Sequence, residues 1–332
     1  MSSPLKILVP LVVADANITA SNVALETAWT AGTYPLGTQR RVGERLFEVS
    51  AASTSQQPSD TATDWFDAGP ANRFAAFDRQ VGVDKFRVVE TKTSNAESIT
   101  YTIESLTRVG GIAMFGLQAA TILIVATVST TGDAANISYT LQDDTQYEGS
   151  LWRWMFIPAS FERKYINFEL NIPQGASIDI TITNTGGTAR AGTIAFGLVS
   201  NFGVVGTGTS KTLKSRSFKK TEGTLTSLLR RTTSSVVSYS TTLLNYEADA
   251  FWRLVEDIDG IGAVFSASDQ YPEFTIYGTL SSANPTAVGV GFSIATIEAE
   301  ELRRPQQSRF TLTRCPQKAN LMTHLTSILT TF

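Results

Sequence analysis

Residues able to act as catalytic nucleophiles and bases are scarce in this chain of 332 residues. It has one histidine, His324, and one cysteine, Cys315, and both lie in a threonine-rich C-terminal tail. A Ser-His-Asp or Cys-His site needs a histidine base that the fold holds in place, and a zinc site normally needs three or four His, Cys or carboxylate ligands. We therefore predict no nucleophilic catalysis and no bound metal or cofactor, and a single cysteine cannot form an intrachain disulfide.

Paired carboxylates are a second route to catalysis, because two of them flank the scissile bond in glycoside hydrolases. The available pairs are Asp64/Asp67, Asp143/Asp144 and Asp257/Asp259. Each pair lies in a turn-like or helix-end context, where aspartate is common because its side chain hydrogen-bonds the local backbone. Asp133 together with the second pair is an alternative Ca²⁺ site, supported only by the acidity of the loop. We favour the local structural role and predict that the protein is not an enzyme.

A basic stretch follows residue 205. Its segment GTGTSK (206–211) lacks the spacing of a phosphate-binding loop and a strand–loop–helix context. The cations of the stretch are Lys211, Lys214, Arg216, Lys219, Lys220, Arg230 and Arg231. They could contact phosphate, or they could form a solvated loop or a contact with an acidic partner. Because the formal net charge of the chain is −3, we favour the second interpretation and predict no nucleic-acid partner.

Two tryptophans stand two residues apart in LWRWMF (151–156). In a strand, Trp152 and Trp154 lie on the same face. Such a pair can form a platform on which a sugar ring stacks, or a buried layer of a sandwich core. The sequence leaves both interpretations open.

The composition favours uncharged polar residues over charged ones. Charged residues make up 17% of the chain and hydrophobic residues 42%, and threonine, which is abundant, favours strands. A weakly charged surface suits sheets that contact other subunits, because less charge is desolvated on contact. It also suits a secreted lectin. No segment approaches the roughly 20 apolar residues of a membrane span, so we predict no membrane insertion.

The N-terminal segment MSSPLKILVPLVVADA has the outline of a signal peptide. Lys6, a short apolar run and the Ala14-Asp15-Ala16 sequence match its three parts. The apolar run is at the lower length limit, however, and Pro10 interrupts it. We therefore predict an edge strand here.

Alternating apolar residues predict a mostly β protein. The segments SITYTIES (98–105) and SIDITITNTGG (177–187) alternate apolar and polar residues, and the second is expected to stop at its Gly-Gly turn. The run ATILIVATVS (120–129) is continuously apolar, which is typical of a strand buried on both faces. We predict a β-sandwich, jelly-roll-like, over residues 88–202.

The C-terminal third has a different pattern. A Gly/Ser/Thr-rich, basic segment (203–224) is expected to be a linker or an exposed arm. After the strand VVSYSTTLL (236–244), the segment NYEADAFWRLVEDIDG (245–260) predicts a helix that Asn245 caps at its start and Gly260 at its end. Its apolar face consists of Ala248, Phe251, Leu254, Val255 and Ile258. Three strand-like segments follow, which gives a β-α-β-β unit.

The last thirty residues are predicted to be an extended arm. One apolar helical face would contain Leu321, Leu325, Ile328, Leu329 and Phe332. This face needs a surface to lie on, either in its own chain or in a neighbour, so we predict a role in assembly. The expected division of the chain is therefore an N-terminal strand with a small module (1–78), the sandwich (79–205), the linker and β-α-β-β unit (206–302), and the arm (303–332).

The segment from residue 29 to residue 69 resembles the small carbohydrate-binding module of chitinases. The residues that match the pattern of that family are Trp29, Gly32, Tyr34, Gly37, Val42, Gly43, Phe47, Pro58 and Trp65. Its glycines allow tight turns between very short strands. In the family the aromatic residues form both a small core and a surface for sugar stacking. The resemblance thus implies glycan contacts at Trp29, Tyr34 and Trp65, with Trp152 and Trp154 as a further platform.

A longer stretch is similar to a family of bacteriophage virion proteins encoded among tail genes. The similarity consists of KILVPL (6–11), an SNV turn (21–23), the module, and a GP-x-NR segment in WFDAGPANRFAAFD (65–78). The β-α-β-β unit also resembles domains used in phage tail and baseplate rings.

This resemblance implies a structural protein of the virion in the tail tip, the baseplate or a tail adaptor. Such a protein would be made in the host bacterial cytoplasm and would act by subunit assembly. Its partners would be other virion proteins and copies of itself. The alternative is a glycan-binding adhesin that recognises a host surface glycan.

Overall fold

A computed structural model of the protein confirms that the fold is mostly β. It describes residues 3–59, 61–77, 91–128, 132–143, 160–161, 163–206, 208–215, 218–222, 225–229, 233–267, 272–287 and 291–302. These residues form twenty-four strands, one α-helix and two short 3-10 turns, at Asp15–Asn17 and Pro272–Phe274.

The strands of the N-terminal half are β1 (Leu5–Pro10), β2 (Ile18–Ser21), β3 (Tyr34–Pro35), β4 (Gln39–Val42), β5 (Arg45–Val49), β6 (Ser53–Thr54), β7 (Trp65–Pro70), β8 (Thr93–Glu104), β9 (Gly111–Phe115), β10 (Thr121–Val128), β11 (Gly132–Thr140), β12 (Gln142–Asp143), β13 (Ser160–Phe161) and β14 (Lys164–Asn167). The remaining elements are β15 (Ser177–Ala191), β16 (Thr193–Phe202), β17 (Val204–Val205), β18 (Ser210–Ser215), β19 (Phe218–Glu222), β20 (Leu225–Leu229), β21 (Thr233–Leu244), helix α1 (Asn245–Asp257), β22 (Ala263–Ser266), β23 (Ile276–Ala287) and β24 (Phe292–Glu301).

A ten-stranded sheet connects the two halves of the chain, in the order β14-β9-β16-β1-β22-β23-β24-β21-β17, with β18 also paired to β21. β1 lies inside this sheet: Leu8 is opposite Val199 of β16 on one side and Val264 of β22 on the other. The predicted edge strand is therefore wrong. The physical reason is that Leu5, Ile7 and Leu8 are all fully buried, which places apolar side chains on both faces of the strand. The predicted division into domains stays a prediction, although β1 pairs with strands from the next two segments.

The sandwich consists of a five-stranded sheet, β11-β10-β15-β8-β2, packed on the β9 and β16 part of the large sheet. Their shared core includes Ile99, Ile124 and Ile180 from the small sheet and Met114 and Phe196 from the large one. The small sheet is antiparallel throughout. An antiparallel sheet can pack one face on the core and leave the other face in solvent.

Two strand predictions within the sandwich are wrong in detail. β10 is not buried on both faces, because Leu123 is 40% exposed while Ile122 and Ile124 are buried. β15 does not stop at the Gly-Gly turn. It continues beyond Gly186, whose positive φ of 74° accommodates the register shift between Thr183 and Thr188.

The C-terminal unit has one strand more than a β-α-β-β unit: its succession is β21-α1-β22-β23-β24, with spatial order β22-β23-β24-β21, and each of the three strand-like segments predicted after the helix contains a strand. Phe251, Val255 and Ile258 on the predicted face of α1 are buried against the sheet. Asn245 is the first residue of the helix rather than its cap. The Glu247 carboxylate instead accepts the backbone N–H of Leu244, at 3.3 Å.

The predicted linker at 203–224 is wrong, because it contains β17, β18 and β19. β18 pairs with β21 over six residues, from Ser210 opposite Ser238 to Ser215 opposite Thr233. Two of its cations contact this chain: Lys211 donates to the Glu273 carbonyl oxygen at 3.0 Å, and Lys214 lies 3.4 Å from Glu300. Pairing converts a polar, Gly-rich sequence into sheet.

Candidate functional site

The module is built from five short strands, β3 to β7, around one small core. β4 and β5 form a hairpin in which Val42 is opposite Arg45. The turn between them begins at Gly43, with φ 59°, a conformation that favours glycine. β5 also pairs with β7, so that Val49 lies opposite Trp65. These pairings bring the predicted aromatic residues together.

Tyr34 and Trp65 form the centre of that core with Phe47 and Val49. Their exposed fractions are only 8% and 5%, and their rings meet edge to face with centroids 5.9 Å apart. The Trp65 indole N–H donates to the Gln56 carbonyl oxygen at 3.0 Å. A sugar ring needs an accessible aromatic face on which to stack, and these two faces are already covered by protein. Tyr34 and Trp65 therefore act as core residues.

The Tyr34 hydroxyl is held by Thr30. It donates to the Thr30 carbonyl oxygen at 2.6 Å and lies 3.1 Å from the Thr30 hydroxyl. The Arg40 guanidinium lies over the ring, 4.7 Å from its centroid. The hydrogen bond with the Thr30 side chain is the main cause that lowers the pKa of Tyr34, and Arg40 acts in the same direction. These contacts fix the loop before β3.

Trp29 and Phe66 are the aromatic residues near the surface of the module. Trp29 is half-buried, and its backbone N–H donates to the Arg41 carbonyl oxygen at 2.9 Å. Phe66 is 64% exposed. Phe66 is not part of the carbohydrate-module pattern, although the alternation of β7 indicates its exposure: when Trp65 faces inward, the next side chain faces outward.

The remaining residues predicted for glycan binding and for the arm are not among those that the structure describes. Trp152 and Trp154 lie outside the described residues, and so do the arm residues Leu321, Leu325, Ile328, Leu329 and Phe332. In the pair Asp64/Asp67, the Asp67 carboxylate has a structural role. It lies 2.5 Å from the Arg45 guanidinium group and accepts the Gly69 N–H at 2.8 Å.

A weakly charged sheet surface lies on the side of β21, β23 and β24 opposite to α1. Successive side chains of a strand point to opposite faces of the sheet. Those of Tyr239, Leu243 and Ile297 point to the helix side, where they are buried. The opposite side carries Ser238, Ser240, Thr242 and Leu244 of β21, Phe292, Ile294, Thr296 and Glu298 of β24, and Ser282, Asn284 and Thr286 of β23. All of these side chains are half-buried or exposed. We call this surface the open face.

The open face is polar but nearly uncharged, with one apolar end. Of its eleven side chains only Glu298 is ionisable. The next residue of β24 on the same side, Glu300, forms an ion pair with Lys214 of β18 beyond the polar end of this surface. At the apolar end Leu244 is opposite Phe292, and they are 47% and 41% exposed. Val204 of β17, opposite Thr242, is 42% exposed at the same end. Such a surface can be covered by a partner at little desolvation cost, because hydroxyl groups find hydrogen-bond partners more easily than buried charges do.

Over the described ranges, no three His, Cys, Asp or Glu side chains come together as metal ligands. Within the same ranges, no helix has the length and apolar character needed to cross a membrane. The chain matches no protein-family model, no curated protein and no solved structure.

Proposed function

We propose that the chain is a structural protein of a bacteriophage virion, in the tail tip, the baseplate or a tail adaptor. It acts by assembly with copies of itself and with other virion proteins, and it performs no catalysis. The observation that carries this proposal is the open face. The cores of protein interfaces are depleted of charge and enriched in apolar residues, and the open face is nearly uncharged and has exposed apolar residues, Leu244 and Phe292, at one end. The similarity of residues 6–78 to virion proteins supports the same role.

The experiment is quantitative mass spectrometry of virions purified from the phage that encodes the chain. A structural role predicts that the chain is present in every particle, in a copy number that fits a ring or a symmetric hub. Electron microscopy of the same particles locates it with a fusion tag at the N terminus. Absence of the chain from intact virions would contradict the proposal.

A second candidate function is recognition of a host surface glycan by the module. Phe66 favours it, because an exposed aromatic ring can stack on a sugar. The half-buried Trp29 is a further aromatic contact. Glycan-array binding by the purified chain that disappears in Phe66→Ala, while Leu36→Ala (also exposed) binds normally, would support it. No binding on the array would exclude a lectin role for the module.

A further inference from the structure

The open face has an apolar end and a polar end, and the pairing of its strands defines both. Leu244 and Phe292 are opposite each other at the apolar end, and in the next row Ile294 of β24 and Val204 of β17 lie on the two sides of Thr242. The four apolar side chains are half-buried or exposed. The other side chains of the face carry hydroxyl and amide groups and one carboxylate. A partner for this surface therefore needs apolar side chains at one end and little charge.

The arm of this chain has that composition in its sequence. Residues 319–332 contain no aspartate, glutamate, lysine or arginine, and their apolar residues recur at helical spacing. Residues 303–318 contain five cations and no carboxylate. The one ionisable side chain of the open face is the carboxylate of Glu298, near the polar end. The arm thus offers apolar side chains to the apolar end and positive charge to the end that contains Glu298.

The arm and the open face also match in length. A helix over residues 319–332 would be about 21 Å long, at 1.5 Å per residue. The open face extends along β21 from Leu244 to Ser238, which is about 20 Å at the rise of a strand. A helix that lies along β21 would therefore cover the face from its apolar end to its polar end.

The direction of β24 favours docking on a second copy. β24 begins at the apolar end with Phe292, and the chain leaves the sheet at Leu302, whose N–H donates to the Tyr277 carbonyl oxygen at 3.0 Å. Leu302 therefore lies roughly 30 Å along the strand from Phe292. Pro305 disfavours a helical turn at Arg304, so the sequence favours an extended continuation away from the face. An arm that continues in this direction meets the apolar end of another copy without reversing.

We propose that the arm of one copy, residues 303–332, docks on the open face of a second copy. Its apolar residues contact the apolar end of that face, and its cations lie towards Glu298. Because the arm and the face are different surfaces of the chain, the contact is head-to-tail, and such contacts close into rings or continue as filaments. This role rests on the proposed function, since it is the contact through which copies of the chain assemble.

The test uses two full-length variants, each of which lacks one side of the contact. The face variant is Leu244→Thr/Phe292→Thr, and the arm variant is Leu325→Thr/Ile328→Thr. Sedimentation equilibrium at submillimolar concentrations should show self-association of the wild type and at least tenfold weaker association of either variant alone, because two buried apolar contacts are lost. An equimolar mixture of the two variants should form a dimer. In that mixture the intact arm of the face variant meets the intact face of the arm variant.

Matched controls separate the contact from general effects of substitution. Leu198→Thr replaces an exposed leucine elsewhere, and Thr323→Ser/Thr330→Ser changes the arm outside its apolar positions; both should associate as the wild type does. Thermal unfolding of each variant verifies the fold. A synthetic peptide of residues 303–332 tests the wild type without substitution. It should dissociate wild-type oligomers, whereas the same peptide with Thr at positions 325 and 328 should not.

Three results would overturn the proposal. The first is a wild type that stays monomeric at submillimolar concentrations. The second is an arm variant that associates as strongly as the wild type, which would indicate contact between two open faces. The third is a mixture of the two variants that stays monomeric, which would indicate that the arm docks on its own chain or elsewhere.

The outcome is independent of the search for the chain in virions, because these measurements use the purified protein. If virions contain the chain and its association does not need the arm, the proposed function stands and the arm contact is excluded. If the arm mediates association and virions lack the chain, the virion role is excluded and the contact stands.

Discussion

Trp65 is tied to Gln56 by a hydrogen bond of 3.0 Å from its indole N–H to the backbone carbonyl oxygen. This bond links β7 to the loop after β6, and it satisfies the polar atom of a side chain that is otherwise enclosed by apolar residues. The module is therefore held together by the same residue that the sequence pattern associates with sugar binding.

Trp65→Ala should destabilise the module strongly. Loss of a buried tryptophan costs about 3–5 kcal/mol, and Trp65→Phe should cost about 1–2 kcal/mol because the hydrogen bond to Gln56 is lost. Hydrogen exchange of the β5 and β7 amides measures this local stability. Phe66→Ala, one residue away but exposed, is the control and should change it by less than about 0.5 kcal/mol. Equal exchange in Trp65→Ala and wild type would show that Trp65 is not a core residue.

Removal of the apolar end of the open face should impair assembly without unfolding the chain. The double variant Leu244→Thr/Phe292→Thr replaces two exposed side chains, so the free energy of unfolding should change by less than about 1 kcal/mol. Its incorporation into particles should fall at least tenfold in a complementation assay. Leu198→Thr, at a residue of β16 that is 53% exposed, is the matched control. Normal incorporation of the double variant would exclude the open face as an assembly surface.

Gly197→Ala tests the position of β1 in the sheet. A methyl group at Gly197 would collide with the Val9 carbonyl oxygen of the neighbouring strand, so we expect a loss of about 1–3 kcal/mol in urea unfolding. Gly206→Ala is the control, because its Cβ would be no closer than 3.7 Å to the Ser240 carbonyl oxygen. If the two variants are equally stable, β1 does not pack against β16 as described.

Alkaline pH should destabilise the fold through Tyr101 and Tyr239. Burial raises the pKa of both phenols above the ordinary value of 10.0. Above pH 10 the unfolded chain ionises these groups while the folded chain keeps them protonated, so the unfolded state binds fewer protons and stability falls as pH rises. The stability that the two protonated phenols contribute is fully present below pH 10. Above pH 10, each of these tyrosines lowers the free energy of unfolding by about 1.4 kcal/mol per pH unit.

Tyr101→Phe isolates one of the two groups. Its hydroxyl donates to the Arg73 carbonyl oxygen at 2.7 Å, so the variant should lose about 1 kcal/mol at neutral pH. Between pH 10 and 11, however, the free energy of unfolding of the variant should fall less steeply with pH than that of the wild type. The difference in slope corresponds to the one proton that Tyr101 no longer releases on unfolding. Tyr246→Phe, at a residue that is 77% exposed, controls for loss of a hydroxyl. An unchanged alkaline slope in Tyr101→Phe would contradict the linkage.

Local sequence patterns are sufficient to predict strands and helices, but they do not predict which faces of these elements are covered by other parts of the chain. The alternation of Ile99, Tyr101 and Ile103 predicts β8, and these residues are buried as expected. The helical spacing of Phe251, Val255 and Ile258 likewise identifies the face of α1. The continuous apolar run at 120–129 was misleading, because β10 is buried on one face only. Hydrophobicity along a strand does not reveal whether a second layer covers it.

The aromatic pattern of the module shows the same limit. The resemblance to the carbohydrate-binding module implies that Trp29, Tyr34 and Trp65 come together, and Tyr34 and Trp65 do so. Spacing cannot decide which side of a ring faces solvent, because that depends on the loop that packs over it. Here the loop at Gln56 covers Trp65, and Phe66 is left as the exposed ring.

The sequence by itself determined that the protein is mostly β, that a strand, a helix and three further strands follow the sandwich, and which residues line the core side of α1. These properties are carried by residues a few positions apart, whose side chains alternate or repeat with the period of one element. Only the tertiary structure decided that β1 lies between β16 and β22, that the open face is uncovered by the described residues, and that β14 is the last of the described strands at one end of the large sheet. Leu8 is opposite Val199 and Val264, which lie 191 and 256 residues further along the chain, and such pairings depend on chain topology and packing that no local pattern encodes.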